Sequence, residues 1–374
     1  MDCFTFVNIK KIELPLAHRI LVSPLDWGLG HTSRCIPIIK TLQNNSFSVL
    51  VACNATQQAY LSKEITQVEY IRLAGYDVQY AISSAGLIWK MILQIPKIIY
   101  RIYAEHKALQ NIITNYKIDA VISDNRFGLY SSKIPCVFIT HQLFIKTPFL
   151  STLVFSMNHF FIKKYNTCWV PDCNNTESLS GELSSTKWQI KTPIQRIGFL
   201  SRFKQPIAFD GVKRKSILCI LSGPEPQRSM LMKMIIQQVS NANYTCTIIG
   251  AKSGSLLHHT ENIQCMPVAD AIQMEWLLAT HQYIITRSGY SSLMDFAVIK
   301  RTAILIPTPG QSEQEYLGKL MQEKQMHYSC QQQLFNLEVA IKAIDEGNWK
   351  TINVTKNNNL QNAILELGNG IISK

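Results

Sequence analysis

Apolar residues gather in short unbroken runs, each closed by a glycine-bearing or polar loop and followed by apolar positions three and four apart. The first run is Arg19–Pro24, containing ILVSP; LDWGLGHTSR follows, then the helical spacing of Cys35–Leu42, then a second run at Phe47–Ala52. Strand, glycine loop, helix and strand in that order predict a βαβ unit and therefore a parallel sheet. Ala120–Ser123 and Cys136–Thr140 are further strand-like runs that stop at the polar SDNR and HQ. The pattern then restarts. Ser216–Leu221 reads as a strand, SGPEPQR as a turn, Ser229–Val239 as a helix, and Thr245–Ile249, Tyr283–Thr286 and Ala303–Ile306 as strands. Between the two series lie residues 198–215, GFLSRFKQPIAFDGVKRK, which have the composition of a linker. The expected architecture is α/β, with two Rossmann-like domains at 1–200 and 214–350 whose parallel sheets face each other across a cleft. A helical tail, 351–374, carries a short helix at Leu360–Leu367.

A chain of 374 residues has room for two ordinary domains. Its 47% apolar and 17% charged residues suffice for a large core and exclude a disordered chain. No repeat or sustained heptad appears, which removes fibrous and coiled-coil classes. Ten cysteines are scattered without a Cys-x-x-Cys, and the closest pair, Cys168 and Cys173, lacks a second pair to complete a zinc site. Buried free thiols are therefore expected. Lys10, Lys11 and Glu13 interrupt the region where a signal peptide needs an apolar core, so a cytoplasmic protein is expected. No run reaches the roughly 18–20 apolar residues of a spanning helix.

Lys and Arg outnumber Asp and Glu 37 to 25, a formal charge of +12 that suits an anionic partner. Leu87–Tyr103 and Phe144–Ile162 are apolar stretches with cationic ends. They read either as core or interdomain helices or as helices docked on an anionic membrane surface. No basic-aromatic stripe or reader motif points to nucleic acid.

In an open parallel sheet, ligands gather at the carboxyl ends of strands, so the loops there are the candidate sites. Trp27-Gly28-Leu29-Gly30-His31 lets the backbone turn tightly at a helix start and places a titratable imidazole at the mouth of the sheet. It lacks the third glycine and later carboxylate of a dinucleotide site. A lone histidine is structural by default, but one in such a loop is a candidate general base. In Arg287-Ser288-Gly289-Tyr290-Ser291-Ser292-Leu293-Met294-Asp295, N–H groups, hydroxyls and the positive helix end can cradle a phosphate. Asp295 lies where a carboxylate could reach a ribose diol. An ordinary capped turn would look similar. Ile306–Tyr316 brings Glu313, Gln314 and Glu315 to the end of a strand, with the donors and acceptors a sugar needs; a solvated helix start is the alternative. Ser222-Gly223-Pro224 is a fourth such loop.

Taken together these loops resemble those of the GT-B fold glycosyltransferases. The likeness is closest to family 28, the group that includes the N-acetylglucosaminyltransferase of lipid II synthesis. GLGHTSR is similar to that family's Gly-Gly-His loop, with Leu29 between the glycines. RSGYSSLMD is similar to its Arg-Ser-Gly-Ala stretch, ending in Asp295 where the family has a ribose-binding Glu. IPTPGQSEQEY resembles the loop whose Gln pair holds the donor sugar, here Gln314 and Glu315, and ITHQL (139–143) its His-Glu-Gln stretch. Residues 60–200 match only loosely, which leaves the acceptor open.

The resemblance implies transfer of a sugar from a nucleoside diphosphate, UDP in the first instance, to an acceptor hydroxyl with inversion. His31 would be the base, with Asp124 and His141 as second candidates or orienting partners. Gly30, Ser222, Gly223, Arg287, Ser288, Gly289 and Ser291 would receive the nucleotide and its diphosphate. No Asp-x-Asp motif occurs, so no metal or other cofactor is expected; a cation held by Glu313-Gln314-Glu315 is the alternative. The acceptor would be a glycan or a lipid-linked group, with the protein held peripherally on the inner face of the cytoplasmic membrane. A nucleotide-sugar 2-epimerase and a non-catalytic nucleotide or glycan binder are the alternatives.

Overall fold

The computed structural model describes residues 17–77, 84–145, 151–173, 177–185, 190–203, 211–251, 262–352 and 358–372. Seven strands form the first sheet: β1 (Arg19–Pro24), β2 (Ser48–Cys53), β3 (Glu69–Arg72), β4 (Ala120–Asp124), β5 (Cys136–Ile139), β6 (Thr167–Val170) and β7 (Ile194–Arg196). Every pairing is parallel, in the order β3-β2-β1-β4-β5-β6-β7. The second sheet holds β8 (Lys213–Ile220), β9 (Thr245–Ile249), β10 (Ile263–Met266), β11 (His281–Thr286), β12 (Ile304–Leu305) and β13 (Tyr328–Ser329). It too is parallel, in the order β10-β9-β8-β11-β12-β13. The α/β reading therefore holds, with two sheets of the same winding. Strand order reverses between β1 and β4 in one sheet and between β8 and β11 in the other, and crevices for ligands open at such reversals.

The central strands are short runs buried on both faces, as crossover helices require. Residues 20–24 of β1 and every residue of β4 and β5 are buried. One apolar cluster spans both sheets, from Ile20, Ile39 and Val51 to Leu293, Met294 and Leu305. Helices fill the crossovers: α1 (Leu29–Asn44), α2 (Ala55–Leu61), α3 (Ser84–Tyr116), α4 (Ser151–Ile162), α5 (Gln227–Ser240), α6 (Ala271–Thr280), α7 (Tyr290–Ile299), α8 (Ser312–Glu323) and α9 (Leu337–Glu346). Where the chain signals a start most plainly, the caps are complete: Asn54 with Gln57 opens α2 and Asp270 with Gln273 opens α6 by reciprocal hydrogen bonds.

Three expectations change. The Leu87–Tyr103 stretch is part of the 33-residue α3, which continues to Tyr116 because Ile102, Leu109 and Ile112 keep a buried face in register. Of the Phe144–Ile162 stretch, Ser151–Ile162 forms α4, while residues 146–150 lie outside the described residues. The end of the expected linker is strand, since β8 begins at Lys213, and residues 204–210 are outside the described ones. The nine described cysteines are all free thiols.

The last helix, α10 (Asn359–Ile372), returns to the first sheet's side. Asn45 and Gln361 exchange amide hydrogen bonds of 3.2 and 2.7 Å, and Gln195 donates to Glu366 at 3.0 Å.

Candidate functional site

After β1 the backbone reaches Gly28 at φ 96°, a conformation that favours glycine, and α1 starts immediately. After β11, Arg287-Ser288-Gly289 leads into α7. The starts of the two helices meet across the cleft, where the Ser291 hydroxyl donates to the Gly30 carbonyl at 3.0 Å. Neither helix has a side-chain cap. A Cβ placed on Gly28 or Gly289 would meet nothing within 4 Å. Two positive helix ends with unused N–H groups thus border open space, a setting that favours an anion.

His31 sits in the first turn of α1, and a chain of charge runs inward from it. Its Nδ1 lies 3.1 Å from Asp124 Oδ2 and 2.8 Å from the Arg34 guanidinium. Arg34, one turn further along α1, donates from Nε to Asp124 Oδ2 at 2.8 Å and from its terminal nitrogen to Asp124 Oδ1. Its other terminal nitrogen reaches His141 Nδ1 at 3.3 Å. His141 Nε2 lies 2.7 Å from Glu313 Oε1, at the start of α8 in the second lobe. The His141 ring stacks on Tyr290 with centroids 4.0 Å apart.

Burial opposes charge on Asp124, but Arg34 and then His31 outweigh it and hold its carboxyl well below the usual carboxylate range. Burial, with the Arg34 charge beside it, lowers the His31 pKa below 6.5, and Asp124 offsets this only in part. His31 is therefore neutral at neutral pH. Among the described residues its Nε2 has no hydrogen-bond partner, and 16% of its side chain is exposed.

The structure gathers His31, Asp124 and His141, and Asp124 is fully buried, an orienting group rather than one open to substrate. Arg287 departs from expectation. Its guanidinium is buried and donates to the carbonyls of Ile306, Pro307 and Gln227 and to Gln332 Oε1, so it braces loops where an exposed anion contact was anticipated. The Ser288 hydroxyl likewise donates to the Gln314 carbonyl at 2.7 Å. Asp295 accepts from the Ser201 hydroxyl at 2.6 Å and ties the segment after β7 to α7. The Gln314 side chain accepts from the Thr308 N–H, and Glu315 from the Gly310 N–H, so both shape the loop.

Ser222 and Gly223 are exposed after β8. A Cβ on Gly223 would lie 3.6 Å from the Thr308 hydroxyl, a buried oxygen with no partner. Sequence reasoning did not single out Arg34 or Thr308 for the site, and it read Glu313 as a sugar or cation contact, not as a partner of His141. The one local signal was the three-residue step from His31 to Arg34, which puts both on one helix face. Among the described residues no group of three or more His, Cys, Asp and Glu is placed to hold a metal ion.

Residues 226–366 match the glycosyltransferase family 28 C-terminal domain. No curated protein sequence matches the chain. Solved structures do. The Acinetobacter baumannii MurG structure has a TM-score of 0.54 at 11% identity, covering 94% of this chain and 99% of that one. The spinosyn rhamnosyltransferase SpnG, complexed with thymidine diphosphate, gives 0.60 at 11% identity, covering 95% and 96%. Phytolacca americana UGT2, complexed with UDP-2fluoro-glucose and pterostilbene, gives 0.56 at 12%, covering 96% and 94%. Residues 226–366 thus carry the sequence of a glycosyltransferase family 28 C-terminal domain, and the two lobes share the GT-B fold of these glycosyltransferase structures.

Proposed function

We propose that the protein moves a sugar from a nucleoside diphosphate sugar, UDP-linked in the first instance, to an acceptor hydroxyl, with inversion and without a metal. The observation that carries this reading is the neutral His31, backed by buried Asp124, at the meeting of two uncapped helix starts. As the base, His31 takes the tautomer in which Nδ1–H donates to Asp124 Oδ2, 3.1 Å away, in place of the one in which Nδ1 accepts from Arg34 at 2.8 Å. Its Nε2 lone pair is then free to take the proton of the attacking hydroxyl. Asp124 stabilises the imidazolium that forms. The departing diphosphate gains negative charge, which the N–H groups opening α1 and α7 meet with preorganised dipoles. Attack on the face of the sugar opposite the diphosphate inverts the anomeric carbon. The test is release of free nucleoside diphosphate from UDP-N-acetylglucosamine, UDP-glucose and UDP-galactose, with and without lipid extract. Release that requires lipid extract supports a lipid-linked acceptor; no release with any of them, under any addition, contradicts the reading.

The acceptor side supports peripheral attachment to the inner face of the cytoplasmic membrane. Along α3, Leu93, Ile99, Tyr100 and Tyr103 are exposed, with Lys97 and Arg101 beside them. On α4 Phe160 is exposed, with Lys163 and Lys164 following and the Lys164 ammonium 5.0 Å from the Phe160 ring. Beneath this surface α3 is anchored: buried Glu105 accepts from Arg126, from the Tyr76 hydroxyl and from the Gly128 N–H. Among the described residues no helix is long and apolar enough to cross a membrane. Apolar bulk and cations on a fixed platform are what an interfacial contact with anionic lipid uses.

A further inference from the structure

Helix α8 forms a seam between the lobes. Positions 313, 316, 320 and 324 recur at the helical period, and each meets the first lobe. Glu313 pairs with His141, the Tyr316 hydroxyl accepts from the Glu182 N–H at 2.8 Å, and the Lys324 ammonium donates to the Ser178 carbonyl at 2.6 Å. Leu320 borders Gly181, where an added Cβ would lie 2.8 Å from its Cδ2. The segment that receives them is itself held by buried Asp172, which accepts from the N–H groups of Cys173, Leu179 and Ser180 and from the Ser178 hydroxyl. Glu313 is therefore presented to His141 by an element docked on the first lobe over three turns.

That contact decides a tautomer. With Nε2–H donated to Glu313, His141 Nδ1 is left to accept from Arg34. Arg34 is then fixed as a fork on Asp124. His31 Nδ1 faces both partners, Asp124 Oδ2 as acceptor at 3.1 Å and the Arg34 guanidinium as donor at 2.8 Å, so the placement of Arg34 decides which tautomer His31 holds. We propose that Glu313 is a positioning residue: through His141 and Arg34 it sets the orientation and tautomer of His31, so the base is aligned when the lobes are closed. The inference rests on the reading of His31 as the base. The groups facing this chain are Tyr290 from α7, His31, Arg34 and Cys35 from α1, Asp124 at the end of β4, His141 after β5 and Glu313 from α8.

The test compares the full-length wild type with Glu313→Gln and Glu313→Asp. Ring 15N spectra read the tautomers directly, with the resonances assigned through His31→Ala and His141→Gln. The expected result is a shift in the populations at both His141 and His31 in Glu313→Gln, with unchanged melting temperature and unchanged UDP affinity. Turnover of whichever UDP-sugar the wild type uses should fall about 10- to 100-fold, in kcat rather than KM. His141→Gln should cost a similar factor, and the double variant no more than either single one, because both act through one chain. A His31 spectrum unchanged in Glu313→Gln overturns the proposal, as do losses that multiply in the double variant. If the wild type turns over no UDP-sugar, the transfer reading fails, and the ring spectra still decide whether Glu313 governs His31. Glu313→Asp keeps the charge on a shorter stem, so a His31 shift there too separates loss of reach from loss of folding.

Discussion

At the scale of single residues, the site depends on one imidazole kept neutral among charges. With His31 as the proposed base, activity requires the neutral imidazole, whose pKa is lowered from 6.5 by burial and by Arg34. The acid limb of kcat/KM therefore lies below 6.5, and rate is lost as pH drops through the lowered value. Arg34→Met removes the cation and should move that limb to higher pH, while stranding the Asp124 carboxylate at a cost of about 3–5 kcal/mol in stability. A pH–rate profile and a denaturant melt check both. Stability follows the same signs. Asp124, with its pKa depressed by Arg34, contributes above the unfolded carboxyl value of about 3.9 and is lost as pH falls through the folded one. His31 takes up a proton more readily when unfolded, so stability also declines below 6.5.

At the scale of elements, α3 and α8 carry the consequences. Gly181 has φ 53°, and a Cβ there would lie 2.5 Å from the Tyr316 hydroxyl. Gly181→Ala should therefore pry α8 from its seat, lowering stability by about 1–3 kcal/mol in a thermal melt. Ile99→Glu with Tyr103→Glu alters only exposed positions of α3 and should leave the melt unchanged. If that face docks on lipid, the pair abolishes sedimentation with anionic vesicles at low salt, which the wild type shows and high salt reverses. Wild type that stays in solution at low salt contradicts the docking. Which elements the sequence reveals follows from what defines them. β1 and β9 match their expected limits residue for residue, because a strand buried on both faces is an unbroken apolar run. β3 (EYIR), β7 (IQR) and β13 (YS) are short and mixed in pattern, and only pairing with a neighbour makes them strands.

At the scale of the whole molecule, two α/β lobes were legible from the repeated strand–loop–helix order, whereas the seat of α10 was not. Its amide pair joins Asn45 to Gln361, a contact that no local pattern encodes. The site divides the same way. His31 stands out in the glycine loop after β1, and Asp124 and His141 as polar residues at or just past strand ends, while Arg34 and Glu313 matter through partners 90 and 172 positions away. Arg287 misled because the residues that satisfy it, Gln332 and the carbonyls after β12, arrive from other loops. The central claim is that these lobes bring a nucleoside diphosphate sugar to His31 as the base. It is tested most directly by measuring free UDP released from UDP-sugars by wild type and His31→Ala, alongside UDP affinity by calorimetry. The account predicts a rate loss of about 10²–10⁴-fold with UDP affinity unchanged. Turnover within a few fold of wild type in folded His31→Ala would contradict it.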